Sequence, residues 1–296
     1  MKNIHVGFLL SYDYELLKMS IPPVYETADR IFLAKDKESR TWNGQKFSID
    51  EAFYSWLKEF DVHNKIEIYE DDFYLPGLTT IENDTRERTM LSQRMGIGNW
   101  LIQVDSDEYF IDFKKFVSDL RKYDCYLDNP ENNKIQIFAF WLIIYKYTQN
   151  GILYVDKPMK AAFATNYPNY ECARRTNERA IYIDSLVLHE SVARSESELR
   201  FKLENWGHNK EVNGGFLDKW IKVDENNYKD FDDFYYVEPK RWKKLAYFPS
   251  KDINAIQTIV EKSKELKITK GKLFLKNFGQ WFKHLKIFKL HKKSKF

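Results

Sequence analysis

Between His5 and Val104 short apolar runs alternate with stretches of helical periodicity, and that alternation limits the fold more than any other feature of the chain. Residues 5–10, 30–35, 65–69 and 100–104 read as strands. Residues 51–60, with apolar side chains at 53, 54, 56, 57 and 60, read as an amphipathic helix behind a capping box at Ser48-Ile-Asp-Glu51. A second helix opens at Asp84-Thr-Arg-Glu87, runs to about Met95 and stops at Gly96 and Gly98. Strand–helix alternation of this kind predicts an α/β fold whose central sheet is mostly parallel, because right-handed crossovers impose parallel pairing.

The pattern changes after residue 134. Residues 135–147 form a long β-branched and aromatic run, and shorter strand candidates follow at 152–155, 161–164, 181–183 and 186–188. Ser195-Glu-Ser-Glu198 is another capping box, opening a helix that reaches about Trp206. No internal repeat is present. At 296 residues and 43% hydrophobic content, one large domain over 1–250 with an appendage over 251–296 is expected.

The strand at 100–104 ends in Asp105-Ser-Asp107-Glu108, three carboxylates in four residues. Such crowding calls for a cation, and carboxylates one residue apart can share a hard divalent ion such as Mg²⁺ or Mn²⁺. Open α/β sheets also place their ligands at the carboxyl ends of strands. A second cluster follows the apolar segment 186–188: His189 can complete the coordination begun by Asp105 and Asp107, and Arg194 precedes a helix N-terminus suited to a diphosphate. A histidine satisfied by a backbone carbonyl and an arginine in a surface ion pair are the plainer alternatives. Lys202, with Glu198 one turn before it as an ordinary i,i+4 partner, and His208 are further phosphate or metal candidates. Asp36 ends the second strand, where an acid can bond a ribose or base edge. Arg88 is the helix cation expected to face the crevice.

These elements resemble a GT-A fold (Rossmann-like) glycosyltransferase, most closely glycosyltransferase family 2. The resemblance spans about residues 1–250. It rests on Ser11-Tyr-Asp13 after the first strand, Asp36, Arg88, the Asp-x-Asp region 98–107, and the block from His189 through Arg194 and Lys202 to His208. It implies that Asp105 touches ribose or metal, that Asp107 and His189 hold Mn²⁺ or Mg²⁺, and that the donor is a nucleotide-diphosphate sugar, with UDP the default. It also implies inverting transfer with a carboxylate base. The family's acidic pair for that role has no clean match here, which leaves Asp184 and Glu190, with Glu171 behind them.

From Glu261 onward twelve lysines face two glutamates, so a basic tail follows an acidic body. Lysines alternating with apolar residues over 272–296 suit a helix on an anionic membrane surface, or one packed on the body with solvated lysines. Nucleic acid is not expected, since the tail carries no arginine. Two unpatterned cysteines, no signal-like N-terminus and no run of about 18 apolar residues point to a cytoplasmic protein held peripherally at the inner face of the plasma membrane. A glycan or lipid-linked acceptor in surface polysaccharide synthesis would fit that location. A metal-dependent phosphoesterase or nuclease, and a non-catalytic sugar-binding scaffold, are the alternative functions.

Overall fold

The computed structural model describes residues 2–252, 255, 260 and 263–283. Its sheet is mixed. β1 (Ile4–Leu9), β2 (Arg30–Asp36), β3 (Ile66–Asp71) and β4 (Trp100–Val104) form a parallel block in the order β3-β2-β1-β4. β8 (Met159–Thr165) continues from β4 antiparallel, and β6 (Ile135–Tyr147) pairs antiparallel with β8. β6 also pairs with β7 (Ile152–Val155), which pairs in turn with β10 (Leu245–Phe248). β9 (Arg179–His189) lies parallel to β6 and carries β5 (Glu108–Phe110) on its other side. The expected α/β class with helices flanking a central sheet is therefore present. The two short runs at 181–183 and 186–188 are one strand, irregular in register opposite Phe138 and Phe140.

Period-two alternation decides which helices cover which face. Ile4, Val6, Phe8, Ile31, Leu33, Trp100, Ile102 and Val104 point to one side. There they meet the one-turn helices α1 (Leu17–Ser20) and α2 (Pro22–Tyr25), together with α3 (Glu51–Phe60) and α5 (Phe113–Arg121). Phe32, Ala34 and Leu101 point to the other side, against Leu91 and Met95 of α4 (Thr80–Met95). A Cβ on Gly7 would stand 2.8 Å from Met95 Sδ and 2.9 Å from Leu91 Cδ2, so glycine in β1 lets α4 lie directly on the sheet.

Two helix starts differ from the sequence reading. α4 begins at Thr80 behind a Thr79/Glu82 capping box, which leaves Asp84 inside the helix, and α3 is capped by Asp50 rather than by Ser48. α6 (Glu196–Asn205) has the expected Ser195/Glu198 box. It packs with α7 (Phe216–Lys222) on a second core beneath β6 and β7, around Tyr145, Phe234 and Trp242.

α8 (Lys270–Lys283) lies on β9. Asn277 bonds the Tyr182 backbone in both directions, at 2.8 and 2.9 Å, and Lys276 sits over the Tyr182 ring. Phe274 and Leu275 remain 67% and 69% exposed. The part of the expected tail beyond residue 283 lies outside the described residues, as do 253, 254, 256–259, 261 and 262 of the expected appendage. Among the described residues no helix is long and apolar enough to cross a membrane.

Candidate functional site

The carboxyl ends of β1 and β4 open into a cavity of about 460 Å³. That volume is within the usual range for a small-molecule site. β1 delivers Ser11, Tyr12 and Asp13 to it, and β4 delivers Asp105, Ser106 and Asp107. β9 delivers His189, and α6 delivers Lys202. Aromatic side chains line the same cavity: Trp141, Trp206, Tyr235, Tyr236 and Trp242.

β4 can end in charge because its surroundings were built for charge. Much of the buried side of α4 is polar: Asn83, Asp84, Glu87, Arg88 and Ser92 are buried at helical spacing, with Leu91 and Met95 as its apolar members. Gln103, the polar residue of β4, donates to the Arg88 carbonyl at 2.7 Å and to Ser92 Oγ at 2.8 Å. Arg88 Nε donates to Asp84 Oδ1 at 2.5 Å, and its Nη2 stands 2.8 Å from Asp105 Oδ1. Burial pushes the Asp105 carboxyl up, but Arg88 and then Arg174 outweigh it and hold the group ionised below the ordinary carboxylate range.

Asp107 is more tightly held. Its Oδ2 accepts from Lys202 Nζ at 2.5 Å and from Arg194 Nη2 at 2.8 Å, while Oδ1 faces His189 Nε2 at 3.6 Å. Burial opposes ionisation here too, and is overcome by Lys202, His189 and Arg194, so the carboxyl lies far below its usual value. Arg194 also donates to Asp13 at 3.2 Å, and Lys202 to the Ser191 carbonyl at 2.8 Å. Burial lowers the His189 imidazole below its ordinary value, against the pull of Asp107 and Glu108, and its ring packs 4.6 Å from Trp141.

Glu108 serves the fold. It is wholly buried, holds Arg174 through both carboxylate oxygens, and accepts from Trp141 Nε1 at 2.7 Å and from the Asp105 backbone at 2.8 Å.

The structure thus brings together Arg88, Asp105, Asp107, His189, Arg194 and Lys202. Arg194 stands behind Asp107 rather than on the cavity wall, and Lys202 turns from the expected Glu198, which is spent on the helix cap, to Asp107. His208 lines the rim. Its Nδ1 is 2.6 Å from Glu211 Oε1 and its ring packs on Trp206.

Other expectations need correction. Asp36 borders the cavity, yet its two oxygens already receive the Arg40 guanidinium and the backbone N–H groups of Glu38, Arg40, Phe73 and Tyr74. With those lone pairs filled it clamps a loop and has no capacity left for a ribose or base edge. Glu190 is also off the cavity: Tyr109 donates to it at 2.7 Å and Tyr147 donates to its other oxygen. Asp184 is exposed on β9 beside Lys115, and Glu171 is exposed outside the cavity wall. None of these three carboxylates is placed to act as a base there.

The donor set does not suit the expected divalent ion. A hard cation needs several free oxygen ligands. Among the described residues no three His, Cys, Asp or Glu side chains converge to supply them. Two protein cations occupy one oxygen of Asp107, and the Arg88 guanidinium stands 2.8 Å from Asp105 Oδ1, which has no hydrogen bond among the described residues. His189 Nδ1 is buried without a partner, whereas a metal-bound histidine ordinarily donates its second ring N–H to an acceptor.

Arg174, Glu87 and Trp42 also line the site and were not foreseen. Arg174 lies between β8 and β9 in a segment without periodicity. Glu87 accepts from Trp42 Nε1 at 2.6 Å, and burial pushes its carboxyl up to about 8.

No protein-family model and no curated protein matches the sequence. Among solved structures, the chain is similar to a crystal structure of S. aureus TarS 1–349, at 12% identity and a TM-score of 0.29. The match covers 48% of this chain and 36% of that one, a likeness too slight to bear on substrates or mechanism.

Proposed function

We propose that the protein is a GT-A-type glycosyltransferase that moves a sugar from a nucleotide-diphosphate donor to a glycan or lipid-linked acceptor. The observation that carries this reading is the pairing, in one cavity at the ends of β1 and β4, of a fixed charge cluster with an aromatic wall. Charges held in place before reaction stabilise a leaving diphosphate without reorganisation. Aromatic faces suit the apolar faces of sugar rings.

In this reading the acceptor oxygen bonds to the anomeric carbon as the bond from that carbon to the diphosphate breaks. The diphosphate leaves with the electron pair. The acceptor proton passes to His208, whose Nδ1 is oriented by Glu211 and whose Nε2 has no protein partner among the described residues. An imidazole oriented by a carboxylate is a competent general base. We also assign α8 to the surface of an anionic bilayer, because exposed Lys270 and Lys272 precede exposed Phe274 and Leu275 on its first turns.

The test is incubation of the full chain, in Mn²⁺-supplemented buffer, with UDP-, GDP- and CMP-linked sugars and a mixed glycan acceptor. Release of nucleotide that depends on acceptor supports transfer. Failure with every donor, alongside cleavage of a generic phosphodiester, would instead assign a phosphoesterase.

A further inference from the structure

We propose, resting on the glycosyl-transfer reading, that Lys202 is the fixed cation that receives the leaving diphosphate, at the place where Asp107 and His189 would otherwise share a divalent ion. The side chain is held for that task. Its Nζ donates to Asp107 Oδ2 at 2.5 Å and to the Ser191 carbonyl at 2.8 Å. An ammonium group has three donors. Two are committed to the protein, and the third is left for the cavity that Lys202 lines.

The supporting frame is rigid. α6 is locked at its start by the Ser195/Glu198 box. At its end, Asn205 accepts from Thr41 at 2.6 Å and donates to Gln45 at 2.6 Å. Lys202 projects from between these two anchors. Arg194 contributes from behind: one guanidinium nitrogen bridges Asp107 and Asp13, so Asp107 serves two cations at once.

A divalent ion held between Asp107 Oδ1 and His189 Nε2 would sit beside the ammonium and the guanidinium that already share Oδ2. Both charges oppose it. It would also gain a histidine whose other nitrogen has no acceptor to orient it. The aspartate that resembles a metal ligand in sequence is, in space, the holder of a lysine. A phosphate oxygen arriving at Nζ forms a charge-assisted hydrogen bond, which offsets the departing charge where an ion would otherwise do so by coordination. No proton need be transferred, because the departing diphosphate is stabilised as an anion.

Calorimetric titration of the full chain with UDP, GDP, CDP and inorganic pyrophosphate tests this, with each ligand run in EDTA and again in Mn²⁺. At least one nucleoside diphosphate is expected to bind equally well in both buffers. Lys202→Met should weaken it by at least about tenfold, the scale of one charge-assisted hydrogen bond, in a protein whose melting curve remains cooperative. Wild-type binding that appears only with Mn²⁺ would overturn the lysine assignment and leave the transferase reading intact, and this arm does not depend on any variant folding. Absence of binding by every ligand in both buffers would overturn the transferase reading, and this inference with it.

Discussion

Arg88 Nη2 lies 2.8 Å from Asp105 Oδ1 and so ties the helix before β4 to the residue just beyond that strand. The same guanidinium holds Asp84 at 2.5 Å within α4. Arg88→Met would leave two carboxylates facing each other with Arg174 as the remaining nearby cation. Removing one member of a buried ion pair costs about 3–5 kcal/mol, and urea unfolding should show a loss of that order. Adding Asp84→Asn to the variant should recover part of it. A loss below about 1 kcal/mol, the range of ordinary surface substitutions, would mean that the cluster is solvated and does not organise the site.

Glu87 gives the fold a pH dependence of definite sign. Its folded value of about 8 lies above the ordinary 4.5, so the native state keeps a proton that the unfolded chain has already lost in between. Stability from this group is therefore fully present below about pH 4.5 and falls as the pH rises toward about 8. Glu87→Gln keeps the acceptor oxygen for Trp42 without the titration. Melting temperatures measured across that window should decline for wild type and decline less steeply for the variant. Parallel curves would show that Glu87 is ionised in the folded protein.

How much of this could be read from the sequence follows from which interactions leave a period. The apolar strands did, because alternation is forced by packing on two faces, and the charged end of β4 stood out against five buried residues. α4 was read from its second turn onward because its buried side begins with Thr80, Asn83, Asp84, Glu87 and Arg88, invisible to any hydrophobic period, and turns apolar only at Leu91 and Met95. Asp36 and Asp107 look equivalent as strand-end acids, yet one is saturated by backbone amides and the other grips Lys202 from 95 positions away. Partners that distant have no local signature. Arg174 had none either, sitting in an irregular segment and meeting Glu108 through the fold alone.

The geometry separates candidate bases sharply. Glu190 is clasped by Tyr109 and Tyr147, and Asp184 faces solvent. Glu190→Gln and Asp184→Asn should therefore leave turnover within about twofold of wild type, whereas His208→Gln should lower kcat by about 10²–10⁴, the usual worth of a general base. Assays of the three variants under saturating donor decide the matter. A collapse of turnover in Glu190→Gln with an unchanged melting temperature would return the role to that carboxylate.

α8 divides its contacts between body and solvent: Asn277 grips the Tyr182 backbone while Phe274 and Leu275 stand exposed beside Lys270 and Lys272. Burying a large apolar side chain in a bilayer interface contributes about 1.5–3 kcal/mol. Cosedimentation should accordingly find the full chain on anionic vesicles, more weakly on zwitterionic ones, and less at high salt, because the lysine contribution is screened. Phe274→Glu with Leu275→Glu should reduce vesicle binding by at least about tenfold, since it removes two anchors and adds two repelling charges. Both side chains are mostly exposed, so the melting temperature should hold. Equal binding by wild type and the double variant would show that the exposed face of α8 is not the part of the protein that meets lipid.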